Sequence, residues 1–467
     1  VTTQLDFTAR KIAILGGGPG GYEAAMVAAS LGADVTIVEQ DGLGGSAVLT
    51  DVVPSKTLIA TADVMTRFAS ASSLGVDFGS TGQPAVADLK MVNNRLLALA
   101  KEQSNDIHRT LERVGVKVIT GKGRLLDNKT LEVVTKDGTQ TVEAEALLIS
   151  VGASPRELES SMPDGERIFT WKQVYNLTEI PEHLIVIGSG VTGAEFASAY
   201  NGLGTKVTLI SSRDRVLPGE DADAAVVLED VFQARGMTVL NRSRAESVKN
   251  TGSGVLVTLD DGRTVEGSHC LVAVGAIPNT AGIGLEEAGV QLDDRGQIKV
   301  DGVSRTTASN VYAAGDCTGV FNLASVAAMQ GRIAIAHLMG DGVKPLKLKN
   351  VASNIFTSPE IASVGVSEQD IAEGRYQGDV IKLSLHTNAR AKMMEVKEGF
   401  VKIISRKGSG TVIGGVVVGP RASELIFPIA IAVTQKLHVD DLANTFTVYP
   451  SLTGSISEAA RRLHVHM

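Results

Sequence analysis

The sequence predicts an α/β chain: two doubly wound parallel units followed by a C-terminal α+β segment. Three observations carry this. The chain has 467 residues, room for about three domains at roughly 150 residues each. One order of elements, an apolar run, a glycine turn, a helix-spaced segment and a second apolar run, occurs twice. From about Lys347 onward that order gives way to separated strands and helices without a glycine turn of this kind.

In the first copy, Lys11–Leu15 is an apolar run suited to a buried parallel strand. Gly16-Gly17-Gly18-Pro19-Gly20-Gly21 follows, then helical spacing from Tyr22 to Leu31, then a second strand, Val35–Val38, ending at Glu39. An insertion from about Gly42 to Gly115 reads mostly as two long helices. A hairpin with an Asp137-Gly138 turn and an apolar strand from Ala146 to Gly152 close this half. The second copy runs through His183–Ile187, Gly188-Ser189-Gly190-Val191-Thr192-Gly193, a helix over Ala194–Leu203 and a strand over Lys206–Ile210. It closes with an Asp261-Gly262 turn and an apolar strand from Cys270 to Gly275. Asn310–Asp316 is a further strand entering a glycine turn and an acid, ahead of a helix over Leu323–Met339. The last part holds Phe400–Ser405, Val412–Val418, Ala422–Gln435 and Val439–Leu442, expected as an oligomer interface or a cap. The expected boundaries are 1–155, 156–280, 281–346 and 347–467, the third segment completing the first.

Composition narrows the function. A net charge of −8 argues against a nucleic-acid binder and against a basic membrane-surface protein. Hydrophobic residues at 43 % supply sizeable cores, and 50 glycines beside 4 % aromatics point to tight turns and close approach of backbone to a ligand. Two cysteines, Cys270 and Cys317, exclude a disulfide scaffold and a structural zinc cluster, and the eight histidines show no metal-ligand spacing. No apolar stretch is long enough for a membrane span, and Val1–Arg10 lacks a secretory pattern. The expectation is a cytoplasmic protein with reduced thiols.

A lone G-x-G-x-x-G is weak evidence, and a flexible loop is its plain alternative. Here the pattern stands twice between a strand and a helix, as dinucleotide binding requires. Gly16 and Gly188 allow the sharp turn, Gly18 and Gly190 admit a pyrophosphate, and Gly21 and Gly193 let the helix pack on the sheet. The helix N-terminus then offers free N–H groups to phosphate. The copies differ 18 residues past the third glycine, where the first has Glu39 and the second Ser211. A carboxylate accepts ribose hydroxyls and repels a 2′-phosphate. A serine with Arg213 and Arg215 nearby admits one, unless those arginines are a solvated surface pair. Site one therefore suits an unphosphorylated dinucleotide, and site two NADPH or NADH. Cys317 and Cys270 read as core residues; His464 and His466 read as a terminal tail.

Gly16–Gly21, Leu43-Gly44-Gly45-Ser46, Pro54-Ser55-Lys56, the second fingerprint with Glu195, and Ala314-Gly315-Asp316 together resemble the flavoprotein disulfide reductase family, over nearly the whole chain and in the same order. The resemblance implies two Rossmann-like dinucleotide-binding domains with a C-terminal dimerisation domain, FAD in the first site and a nicotinamide dinucleotide in the second. It implies that Glu39 binds the FAD ribose, that Asp316 binds the ribityl chain, and that Lys56 and Glu195 pair beside the flavin. It places Gly45, Ser46, Gly123, Gly152 and Ala324 in the FAD set, and Gly275 with the nicotinamide set.

Two departures matter more than the match. At the positions of the family's Cys-x4-Cys stand Ala47 and Val52, and at its His-Pro-Thr-x-x-Glu stand Tyr449-Pro450-Ser451-Leu452-Thr453-Gly454. Neither a dithiol nor the histidine that moves protons for thiol exchange is present. The resemblance then narrows to a cysteine-less, lipoamide-dehydrogenase-like branch that reduces quinones. The expectation is an FAD-dependent NAD(P)H:quinone oxidoreductase, homodimeric or larger, with Lys56, Glu195 and Tyr449 as catalytic candidates. The alternatives are a soluble pyridine nucleotide transhydrogenase and a non-catalytic flavoprotein scaffold.

Overall fold

The computed structural model describes residues 10–77 and 85–464; His466 lies outside them. The described residues open with strand β1 (Lys11–Leu15), helix α1 (Pro19–Ser30) and β2 (Asp34–Glu39). Next come α2 (Gly45–Leu49), α3 (Val52–Ser70) and α4 (Leu89–Arg113), so the two long helices expected in the insertion are present. Strands β3 (Lys117–Thr120), β4 (Lys122–Leu125), β5 (Thr130–Thr135), β6 (Gly138–Glu143), β7 (Ala146–Ile149), β8 (Ala153–Pro155) and β9 (Ile168–Thr170) follow. The second copy is β10 (His183–Ile187), α5 (Val191–Gly202), β11 (Lys206–Ile210), α6 (Ala222–Ala234) and β12 (Thr238–Leu240). It continues with β13 (Ala245–Asn250), β14 (Val255–Leu259), β15 (Thr264–Gly267), β16 (His269–Val272) and β17 (Ala276–Pro278). After β18 (Val311–Ala313) and α7 (Ala324–Leu338) come β19 (Ala352–Ile355), β20 (Glu360–Gly365), α8 (Glu368–Ala372), β21 (Gly378–Ser384) and α9 (Ala389–Met393). The described residues close with β22 (Phe400–Arg406), β23 (Val412–Gly419), α10 (Ala422–Gln435), α11 (Val439–Asn444) and α12 (Gly454–Arg462).

These elements form two compact units. The first unit comprises residues up to Ser55, Asn94–Arg156 and Ala276–Lys347. Its parallel sheet has the order β18-β7-β1-β2-β3. One face packs Ile12, Ile14, Val35 and Ile37 against α1, α7 and Leu111. The other packs Ala13, Leu15, Val38 and Ile149 over Leu131, Val133 and Cys317. All of β1 beyond Lys11 is buried, as a strand covered on both faces requires. Helices α1 and α7 approach so closely that a Cβ on Gly331 would lie 2.2 Å from the Gly20 carbonyl oxygen.

The second unit comprises Lys56–Asn93, Glu157–Gly275 and Leu348 onward. It repeats the parallel sheet as β12-β11-β10-β16-β9, and adds a five-stranded antiparallel sheet in the order β19-β20-β23-β22-β21. That antiparallel sheet buries Val401, Ile403 and Val417 under Ile426 and Ile429 of α10 and Ala459 of α12. Lys402, on the opposite face of β22, is 1 % exposed. Its ammonium meets Asp221 and Asp223 at 2.8 Å each, and also Glu368. Burial alone would lower this lysine's pKa, and the three carboxylates reverse that and hold it charged.

Candidate active site

Both glycine turns have the same wiring. Gly16 (φ +103°) and Gly188 (φ +108°) adopt a backbone that side chains disfavour, and a Cβ on either would lie 2.2 Å from a carbonyl oxygen, Ser150 O or Ala273 O. A Cβ on Gly21 would lie 1.9 Å from Gly16 O, and one on Gly193 would lie 1.8 Å from Gly188 O, which is why each helix sits directly on its turn. Gly18 and Gly190 differ: their φ values are −67° and −71°, and nothing lies within 4 Å of an added Cβ. No protein atom requires glycine there. The open space lies at the N-termini of α1 and α5, neither of which has a side-chain cap. A pyrophosphate bound by the N–H groups fits both places.

The strand ends after each turn are wired alike too. Glu39 accepts from Gly17 N at 2.6 Å and from Asp41 N at 2.8 Å. At the matching position Ser211 Oγ lies 2.6 Å from Ser189 Oγ and accepts from Arg213 N at 3.1 Å. The second site thus keeps the bracing and drops the charge. Ser211 is fully buried, so the structure presents no exposed hydroxyl at this position. Arg213 is exposed, whereas Arg215 turns inward and donates to the carbonyl oxygens of Pro218 and Glu220 at 3.3 and 3.5 Å. Of the two expected arginines, Arg213 faces solvent and Arg215 is half-buried.

In the first unit, Glu39 borders a cavity of about 240 Å³ that also takes in Leu43, Lys101, Ser104, Asn105 and His108. The last four lie on one face of α4 at helical spacing. That spacing was readable in the sequence, but not its destination. Gly45 closes onto the first turn, where its Cβ would lie 2.9 Å from Gly18 Cα, and Ser46 follows it in α2. Gly123 packs against β1 and β2, with an added Cβ 2.5 Å from Leu15. Gly152 and Gly275 have φ of +65° and +100°, ending β7 and β16 in the same way. Gly315 donates its N–H to Gln330 Oε1 at 2.9 Å, and buried Gln330 also reaches Thr318 at 3.3 Å. This braces the turn carrying Asp316, whose carboxyl pKa burial pushes up, ahead of Ala324 at the start of α7. Sequence reasoning missed Gln330, a polar residue in an otherwise ordinary helix. A larger hollow of about 650 Å³, lined by Asp301, Arg305, Tyr312 and His337, touches none of these residues.

In the second unit, Lys56 Nζ lies 2.6 Å from Glu195 Oε2, and Glu195 is 4 % exposed. Glu195 Oε1 accepts from Phe356 N at 2.8 Å, and the Lys56 ammonium stands 5.0 Å from the centre of the Phe356 ring. The pair expected from the sequence is therefore formed, with a third member, Phe356, that lies 161 residues from Glu195 and gave no local signal. Tyr449 is 86 % exposed on the segment after α11, beside exposed Phe446 and Val448. His464 binds Asp440 at 2.7 Å. Ala47 lies in α2 and Val52 begins α3.

The pyridine nucleotide-disulphide oxidoreductase family model matches residues 10–331, and its dimerisation domain matches residues 351–460. The chain belongs to this family. It is an oxidoreductase with FAD and NAD(P)H as its redox cofactors, and it carries the family's dimerisation domain. It is 53 % identical to the NAD(P)H dehydrogenase (quinone) of Mycobacterium tuberculosis, over 98 % of this chain and 94 % of that one. It is 32 % identical to the dihydrolipoyl dehydrogenase of Zymomonas mobilis, over 96 % of each. Its structure matches that of LpdA from M. tuberculosis with a TM-score of 0.93 at 53 % identity, covering 98 % of this chain and all of that one. The flavoprotein disulfide reductase RclA of Escherichia coli matches with a TM-score of 0.86 at 25 % identity, over 97 % of this chain and 99 % of that one. Among the described residues no helix is long and apolar enough to cross a membrane, and no group of residues could hold a metal ion.

Proposed function

We propose that this enzyme is an NAD(P)H:quinone oxidoreductase in which no redox-active disulfide intervenes between flavin and acceptor. The observation that carries the reading is the state of the sulfur. The only two cysteines, Cys270 and Cys317, are free and fully buried in separate cores. Burial raises both thiol pKa values, that of Cys317 to about 12, so neither is a thiolate at neutral pH. Both dinucleotide turns keep their geometry all the same. The name of the M. tuberculosis relative, NAD(P)H dehydrogenase (quinone), supports the same reading.

In this proposal residues 1–155 and 281–346 hold FAD, through Gly16, Gly18, Gly21, Glu39, Gly45, Ser46, Gly123, Gly152, Asp316 and Ala324. Residues 156–280 hold the nicotinamide dinucleotide, through Gly188, Gly190, Gly193, Gly275 and Arg213, while buried Ser211 leaves that strand end uncharged and Arg215 braces the loop rather than the ligand. FAD supplies the two-electron chemistry that links a hydride donor to an electron acceptor. Lys56, fixed by Glu195, would supply a positive charge able to stabilise negative charge that develops during reduction. Ala47 and Val52 leave small apolar surface in place of thiols, which suits a flat apolar acceptor that takes two electrons. Tyr449 offers a phenolic O–H to an acceptor oxygen.

The test is stopped-flow mixing without oxygen. NADPH should bleach the flavin, and a later pulse of a naphthoquinone should restore its colour at a rate matching turnover, whereas lipoamide should not. Bleached flavin that no quinone in a panel reoxidises overturns the reading. Hydride exchange to thio-NAD without quinone would mark a transhydrogenase instead.

A further inference from the structure

The segment Phe356–Ser358 crosses α5 as a strap held by three hydrogen bonds. Phe356 N donates to Glu195 Oε1 at 2.8 Å, and Ser358 N donates to Ser198 Oγ, one turn further along α5, at 3.0 Å. Arg235, just after α6, donates to Ser358 O at 3.0 Å. These bonds hold the Phe356 backbone against α5, and its ring stands 5.0 Å from the Lys56 ammonium. One residue therefore grips both halves of the ion pair, the carboxylate through its N–H and the cation through its ring. Lys56 keeps a quarter of its side-chain surface exposed. A long flexible lysine with that much access to solvent samples many rotamers unless a second contact limits it. A ring face attracts a cation through its quadrupole and supplies that contact without a competing negative charge.

We propose that Phe356 is a positioning residue for the reductive half of the reaction, holding the Lys56 ammonium at one place against Glu195. The inference rests on the role given above to Lys56, but not on the identity of the electron acceptor. A strap contributed by the C-terminal segment, 161 residues from Glu195, then takes part in flavin reduction as well as in assembly.

Double-mutant cycles test it. Phe356→Leu should slow anaerobic flavin bleaching by NADPH by about tenfold, near the effect of losing one partly desolvated cation–ring contact. The same change should shift the midpoint potential of the bound flavin to more negative values, and Phe356→Tyr, which keeps a ring, should restore both. In a Lys56→Met background Phe356→Leu should add nothing, because the contact it removes is already gone. In the flavin-free protein, competitive acylation read by mass spectrometry should find Lys56 several-fold more reactive in Phe356→Leu, because the ring no longer covers it. Phe356→Met, of similar volume, is read in parallel so that poor folding of one variant does not remove the test. The proposal fails if the leucine and methionine variants match wild type, or if their full effect persists without Lys56. A quinone panel that fails to reoxidise the flavin while this cycle behaves as expected would overturn the acceptor alone.

Discussion

At the scale of single residues, the glycines of each turn separate into two kinds, and substitution distinguishes them. Gly193→Ala places a methyl group 1.8 Å from Gly188 O and should give protein that does not fold. Gly190→Ala meets nothing within 4 Å, so the melting temperature should hold while KM for NADPH rises by about tenfold or more, as expected if the open space belongs to phosphate. An equal loss of stability in both would show that the space is structural. Ser211→Glu rebuilds the carboxylate of the first site in the second. It should lower kcat/KM for NADPH by about tenfold more than for NADH through repulsion of the 2′-phosphate; parallel losses would place the adenosine end elsewhere. These residues were legible in the sequence because their constraint is local, a turn of six residues between strand and helix. Phe356 and Gln330 were not legible, because each acts on a partner that chain separation hides and tertiary packing alone reveals. The burial of Ser211 and the inward turn of Arg215 were also beyond reach, since spacing gives a residue's place but not what its side chain faces.

At the scale of elements, charge holds the C-terminal segment to the segment that carries the second glycine turn. Lys402 on β22 gathers Asp221 at the N-cap of α6, Asp223 in its first turn and Glu368 at the start of α8. Lys402→Met leaves carboxylates facing one another without their cation and should cost about 3 kcal/mol in chemical unfolding, since removing one partner of a buried pair strands the other. A second charged node lies at α8. Asp370 completes the capping box with Ser367 and binds Lys349 at 2.6 Å and Arg375 at 2.9 Å. Its burial opposes ionisation, but these partners outweigh that and hold its pKa at about 2. The native value is depressed, so the stabilisation is complete above the unfolded value of about 4 and disappears as the pH falls from there to about 2. Asp370→Asn should therefore lower the melting temperature at pH 7 and flatten its fall between those two values. Hydrophobic periodicity located β22 and α10 well, but the buried Lys402 inside a strand reads from sequence as an ordinary solvent-facing residue.

At the scale of the whole molecule, one plan is built twice. The sheets β18-β7-β1-β2-β3 and β9-β16-β10-β11-β12 match strand for strand, although β18 comes late in the chain and β9 precedes its sheet's other strands. The repeat was readable because each copy carries its own glycine turn. Less readable was the grouping of residues: the division between the units falls inside α3, after Ser55, and inside α4, after Asn93. No break in either helical pattern announces it. With its only sulfhydryls sealed in two cores, the enzyme also offers electrophiles no handle. On the proposed reading, N-ethylmaleimide or arsenite should leave its NADPH consumption with a quinone intact, and titration with Ellman's reagent should find no accessible thiol until the chain is unfolded. On that reading, a catalyst whose electrons never pass through sulfur would keep working under chemical insults that consume accessible thiols.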